Sequence, residues 1–318
     1  MSYLERKTAG SNKHVYFVKK ISFMKNLLVI KKHIGPDSST ISKEKYILDH
    51  ISELTNEELN FKVKFLDGVN EILSHNPHLA KEIELKSIKI SNYIEGKNCE
   101  KLLDNEFATE FIFNSNNIEG SKIPPDKVRE IIETGNTQHK DKNEVKEVQN
   151  SILAYEYLKR KFKFNIISIK RLYHILTKGL QMDKNNPYPK GFKKISNIVG
   201  NSETTPPERV EQDLQNLLKW YTKNKNNLHP LILAFEFHRK YEFIHPFLDG
   251  NGRTGRLIMN KILMSSGYHP IIVYKDNKLT YFNSIEKSRE SKLKSYYQFM
   301  LEQANKTYDY LLKFIEKY

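Results

Sequence analysis

His245-Pro246-Phe247-Leu248-Asp249-Gly250-Asn251-Gly252-Arg253-Thr254-Gly255-Arg256 is the stretch on which the reading of this chain turns. It lies between two runs of helical periodicity, 231–243 and 257–263, so it reads as a loop that turns into a helix. Gly250 and Gly252 flank Asn251 and let backbone N–H groups converge without Cβ interference. Such a concavity at a helix N-terminus is an anion site. Arg253 and Arg256, three residues apart, project from the first turns toward the same phosphates. Asp249 offers a hard oxygen ligand of the kind that holds Mg²⁺ together with substrate phosphates. His245 is the group best suited to take a proton near neutral pH. Any one of these features fits a turn-forming surface loop. The whole ordered set within so short a span does not.

Composition bounds the rest. The chain has 318 residues, 28% of them charged, with 17 Phe and 18 Tyr, which argues for a packed globular protein. Its one cysteine, Cys99, excludes an internal disulfide framework. The formal net charge is +14, and it is unevenly placed. Residues 1–120 hold 17 basic and 17 acidic side chains, while 121–318 hold 35 and 21. A basic half prefers anionic partners such as nucleotide phosphates, nucleic acid or acidic lipid. No apolar run reaches the ~20 residues of a spanning helix. The N-terminus, with Glu5, Arg6 and Lys7, lacks a signal-peptide core, so a cytoplasmic protein without membrane contact is expected.

The periodicity is mainly helical. Strand formers at 15–18 and 27–30 predict a small N-terminal β-hairpin or short sheet, broken at Gly35-Pro36-Asp37. Helical spacing starts near Ser42 and runs through Ile47, Ile51 and Leu54, then Phe61, Phe65, Val69, Ile72 and Leu73. Pro124-Pro125-Asp126 opens a further helix that Gly135 stops. Residues 183–209, rich in Pro, Asn and Ser, predict a long loop or short hairpin of functional character. The organisation expected is an N-terminal extension over 1–100, a catalytic domain over 101–300 and a C-terminal helix over 301–318.

The decisive string resembles the signature of the Fic family, His-Pro-Phe-x-Asp-Gly-Asn-Gly-Arg-x-x-Arg, with every fixed position present. The resemblance covers about residues 100–300 and implies a mainly α fold, the Fic helical bundle with a short β-hairpin flap. It implies transfer of AMP from ATP to a Ser, Thr or Tyr hydroxyl of a target protein. By the resemblance His245 deprotonates that hydroxyl, Asp249 holds Mg²⁺, and Gly250, Asn251 and Gly252 cradle phosphate oxygens. Arg253 and Arg256 neutralise the phosphate tail, and Phe247 anchors the loop in the core. Upstream, Ser115-Asn116-Asn117-Ile118-Glu119-Gly120 resembles the family's inhibitory motif, in a helix expected around 106–120. There the glutamate, here Glu119, pairs with the second arginine, here Arg256. In some members this glutamate also serves removal of AMP. Ser91-Asn92-Tyr93-Ile94-Glu95-Gly96 fits the same short pattern, but the lead-in at 110–114 favours Glu119, and Glu95-Gly96 reads as a helix end closed by glycine. Ile198, Val199 and Gly200 resemble the flap that docks a target segment as an added strand. Tyr281, Phe282 and Ile285 resemble the element bordering the adenine, with core packing an equal reading for Tyr281 and Ile285. Dimers are frequent among resembling proteins, so a homodimer is allowed.

Two other functions fit parts of the sequence. The same scaffold could transfer another nucleotide, a phosphate or phosphocholine. The +14 charge also suggests a nucleic-acid-binding regulator, but no helix-turn-helix, zinc spacing or RNA-binding aromatic motif is present, and no specific nucleic acid is expected.

Overall fold

The structure is a computed structural model and describes residues 2–37, 41–66, 77–182, 186–200, 202–290 and 292–318. It is mainly α and divides into two compact units. The first unit comprises 1–104, 226–229 and 305–318. The second comprises 105–225 and 230–304.

In the first unit, strands β1 (Ser2–Ala9), β2 (Asn12–Phe23) and β3 (Asn26–Pro36) form an antiparallel sheet in sequence order. The hairpin expectation therefore grows to three strands. β1 carries Glu5, Arg6 and Lys7 and pairs with β2 from Ser2 opposite Lys19 to Ala9 opposite Asn12. Its charges hide it from a search for apolar runs, because an edge strand tolerates them. The β2–β3 turn sets both Met24 and Lys25 at positive φ, as a two-residue hairpin of this hand requires. Phe17, Ile21 and Ile30 meet Ile47 and Leu54 from helices α1 (Lys43–Asp49) and α2 (Ile51–Val63) in one core. Ser42 caps α1 by accepting from Lys45 N. The single helical run read across Ile47, Ile51 and Leu54 is two helices, broken at His50. Val69, Ile72 and Leu73 lie outside the described residues.

Helix α3 (Pro77–Lys97) carries the Glu95-Gly96 pair. Gly96 does not close it: a Cβ there would stand 2.7 Å from Leu48 Cδ2, and the positive φ falls on Asn98. Glu95 instead accepts from Ser2 N (3.2 Å) and Ser2 Oγ (2.5 Å), fastening β1. The unit also buries an ionic network. Lys19 donates to Glu58 (2.8 Å) and Asn92 (2.6 Å), Lys62 stands 3.2 Å from Glu58, and His229 stands 3.1 Å from Glu84.

Helix α4 (Glu100–Glu119) leads into the second unit. That unit continues with α5 (Pro125–Thr134), α6 (Lys142–Arg160), α7 (Ile166–Thr177), α8 (Val210–Asn224), α9 (Pro230–Ile244), α10 (Asn251–Ser265) and α11 (Lys278–Arg289). α5 begins on Pro125 and ends at Gly135 with φ 82°, as its sequence predicts. α9 is buried nearly all round, as is α10, and the two pack together at the centre of the unit. A two-stranded hairpin, β4 (Ile198–Val199) and β5 (Ser202–Glu203), interrupts the helices. The final helix α12 (Leu293–Lys317) starts earlier than the 301–318 element expected from sequence, and residues 305–318 of it belong to the first unit. Among the described residues no helix is long and apolar enough to cross a membrane.

Glu58 answers two buried lysines at once, so replacing Glu58 with Ala leaves charge uncompensated in the first unit. Glu58→Ala is expected to lower unfolding free energy by about 3–5 kcal/mol, read by chemical denaturation. Glu58→Gln, which keeps an acceptor, should lose less.

Candidate active site

The site is built by the turn from α9 into α10. His245 N still bonds to Tyr241 O (2.9 Å), so the histidine closes α9, and its φ of 49° swings the chain out of the helix. Phe247 plunges back into the core, where it stacks on Tyr173 at 3.8 Å with an interplanar angle of 4°. Asn251 then ties the loop shut: its Oδ1 accepts from Phe247 N (2.9 Å) and its Nδ2 donates to Phe247 O (2.8 Å). The Asn251 side chain is thus consumed in shaping the loop. Only its backbone, at the first turn of α10, is left for the phosphate role that the resemblance assigned to it. Gly250 precedes the helix with φ 78°.

Asp249 Oδ1 accepts from Gly250 N (2.6 Å), and its Oδ2 accepts from Tyr188 Oη (2.7 Å). Arg253 lies buried beside it, with Nη1 3.3 Å from Glu147 Oε1 and Nη2 3.4 Å from Tyr188 Oη. Among the described residues no group of three or more His, Cys, Asp or Glu could form a protein-made metal cage. One carboxylate beside phosphate-binding groups suits instead a Mg²⁺ that arrives with substrate phosphates, because that ion retains most of its ligands from water and phosphate.

Arg256 is almost fully enclosed. Its Nε donates to Ser115 Oγ (3.0 Å), and Nη2 donates to Ser115 O (2.9 Å) and to Glu119 Oε1 (2.7 Å). The pair predicted from the upstream motif is therefore formed, and the competing Glu95 is occupied in the first unit. Burial lowers the guanidinium's proton affinity, and the adjoining Glu119 more than restores it. The Glu119 carboxylate lies directly over the first turn of α10: a Cβ on Gly252 would stand 2.3 Å from Glu119 Oε1 and 2.9 Å from Arg256 Nη1. Gly252 is required here because carboxylate and helix backbone touch.

The other predicted positions divide. β4 and β5 form the expected hairpin at Ile198, Val199 and Gly200, with Ile198 exposed. Tyr281 and Ile285 are buried. Tyr281 shares a hydrogen bond with His238 Nε2 (2.7 Å) and lies under the Arg256 guanidinium, 5.9 Å from it. Phe282 is the member of this trio with an exposed ring.

Four residues escape the sequence reading. Lys193 is buried beneath the loop, donating to Asn197 Oδ1 (2.7 Å), Thr204 Oγ1 (2.5 Å) and Ile244 O (3.4 Å). Burial pulls its ammonium down to about 8. Tyr188 and Lys193 sit in the Pro-rich segment flagged as functional, but nothing local distinguishes them from its other polar residues. Glu147 is one carboxylate among several on α6. Glu242 carries the clearest signal, one of two acids on the largely buried α9 and three residues before His245. Its carboxylate lies 3.9 Å from His245 Nδ1 and 3.8 Å from His238 Nδ1. A Cβ at Gly255 would meet it at 2.5 Å.

Burial sets the protonation of this interior. Desolvation lowers His245 to about 4, with the Lys193 charge adding to the effect, so the imidazole is neutral at pH 7 and able to accept a proton. Desolvation raises Glu242 from 4.5 to about 8, Arg256 opposing and Glu119 adding, so that carboxyl is protonated near neutrality. A raised carboxyl binds its proton more tightly in the folded chain. Its stabilisation is complete below pH 4.5 and drains away as the pH climbs through 8. Glu242→Gln removes that titration. The melting temperature of Glu242→Gln should therefore gain on wild type between pH 5 and pH 8, measured by calorimetry at matched ionic strength.

The geometry agrees with comparison to known proteins. The model of the Fic/DOC family matches residues 163–263. The protein adenylyltransferase Fic of Drosophila mojavensis is 30% identical over 209 residues, covering 63% of this chain and 40% of that protein. Its namesake from Drosophila persimilis is 28% identical over 237 residues, 72% of this chain and 46% of that protein. The chain thus spans less than half the length of these curated relatives. A Fic family protein from Desulfovibrio desulfuricans G20 superposes with a TM-score of 0.62 at 25% identity, over 75% of this chain and 74% of that one. A Fic domain containing signaling protein from Bacteroides thetaiotaomicron VPI-5482 shares the fold with a TM-score of 0.61 at 20% identity, over 83% and 97% of the two chains. The complete signature, the helical bundle and these likenesses agree: residues 163–263 match the Fic/DOC family, and over some two thirds of its length the chain is similar to Fic proteins.

Proposed function

We propose that the chain is a protein adenylyltransferase, transferring AMP from ATP to a hydroxyl side chain of a target protein and restrained by its own Glu119. The observation that supports this most directly is one loop carrying a neutral, half-buried His245, a carboxylate at Asp249 and two buried arginines around a helix N-terminus. The activity in the names of the Drosophila relatives agrees with it.

In this reading His245 takes the proton of the acceptor hydroxyl as its oxygen attacks the α-phosphorus. The α–β phosphoanhydride bond breaks, and pyrophosphate leaves. Asp249 would hold Mg²⁺, which screens phosphate charge when bound. Backbone N–H groups at 250–252, with Arg253 and Arg256, stabilise the charge developing on the phosphate oxygens. The β4–β5 edge docks the target segment as an added strand, and Phe282 borders the base. Arg256 cannot serve the nucleotide fully while Glu119 holds it at 2.7 Å. The same carboxylate would orient a water for AMP removal, which is the second activity of this proposal. A cytoplasmic homodimer belongs to the same reading.

Glu119→Gly should raise incorporation of label from α-labelled ATP, by automodification, at least about tenfold, the scale of one strong charged hydrogen bond. Adding His245→Ala should abolish it. Intact-mass analysis should show increments of one AMP. Equal labelling of wild type and Glu119→Gly would overturn the inhibitory role, and label from another nucleotide alone would overturn the choice of AMP.

A further inference from the structure

The two arginines of the loop are held very differently. Arg256 makes three bonds of 2.7–3.0 Å to α4. Arg253 is just as buried, at 3% exposure, yet its bonds to Glu147 and Tyr188 are 3.3 and 3.4 Å long. Among the described residues its Nε has no hydrogen-bond partner, and neither has Arg256 Nη1, so the two differ in the length of the bonds they do make. Charge-assisted hydrogen bonds settle near 2.7–2.9 Å when geometry is free to optimise. A buried guanidinium with an orphan donor and two long bonds, one of them to the Glu147 carboxylate, has unspent capacity for a further anionic acceptor. It belongs to a chain of contacts running from Glu147 on α6 through Arg253 and Tyr188 to Asp249 Oδ2. Glu147 stands on a rigid element: α6 is capped by Asp141, and its neighbours Val148 and Ser151 are buried.

We propose that Glu147 is the positioning residue for Arg253, orienting the guanidinium so that its free donors meet the phosphates beyond the α-position of the nucleotide. The inference rests on the adenylyltransferase reading above. Glu147 does not touch substrate. It fixes the rotamer of a long side chain that would otherwise lose entropy on binding.

The test is nucleotide binding by calorimetry in Mg²⁺, with Glu119→Gly as the parent so that Arg256 is free. Glu147→Ala should weaken ATP about tenfold while leaving AMP unchanged, because AMP lacks the outer phosphates. Glu147→Gln keeps an acceptor of the same length and should restore most of the ATP-to-AMP ratio. It also serves if the Ala variant fails to fold. Equal loss of ATP and AMP would reduce Glu147 to a structural role and overturn the proposal, as would unchanged or tighter ATP binding. A parent that binds no ATP would overturn the nucleotide reading itself, and the inference with it.

Discussion

A buried guanidinium governs this molecule. Arg256 is enclosed by protein, and an uncompensated charge there would cost several kcal/mol, on the order of 3–5. The end of α4 therefore has to come to it, bringing Ser115 and Glu119. That requirement fixes where α4 ends and why Gly120, at φ 117°, follows at once. It makes Gly252 obligatory, since the carboxylate lies against the helix backbone. It also biases Glu242, whose protonation depends on how fully Glu119 answers Arg256. Under the proposed function stability and restraint would be one interaction, so a variant released from Glu119 would be less stable as well as more active.

The loop was legible in the sequence because its constraints are local. Two glycines, a helix start and charges at fixed spacing say most of what the backbone does between 245 and 256. The upstream pair was legible for another reason: Ser115 and Glu119 stand four apart, on one helical face, so both can reach one arginine. Asn251 shows the limit. The resemblance sets it among the phosphate-cradling residues without saying what its side chain does, and only the fold reveals that Phe247 takes both of its hydrogen-bonding ends.

What the sequence concealed was long-range. Lys193 and Glu147 are ordinary charged residues until the chain brings them 51 and 106 positions away from their own neighbourhood. Periodicity marks which face of a helix is buried, but not which partner waits there. Strand β1 was missed for a related reason, since an edge strand can be stabilised by backbone pairing and by Glu95 from a distant helix without an apolar pattern. The break at His50 was missed because both helices keep the same apolar face in register.

The placement of Lys193 has a consequence for recognition. Its ammonium joins Asn197 and Thr204, at the two feet of the β4–β5 hairpin, to the carbonyl of Ile244, and its own amide bonds to Pro246 O at 2.9 Å. Hairpin and histidine therefore share one frame of reference. A segment laid along the hairpin edge would be measured from the same backbone that carries the imidazole. Side chains on one face of a strand repeat every ~6.6–6.8 Å, so a slip of one residue would turn the hydroxyl to the opposite face. Selection of the acceptor residue would then be a matter of counting along a ruler, with little demand on the chemistry of its neighbours.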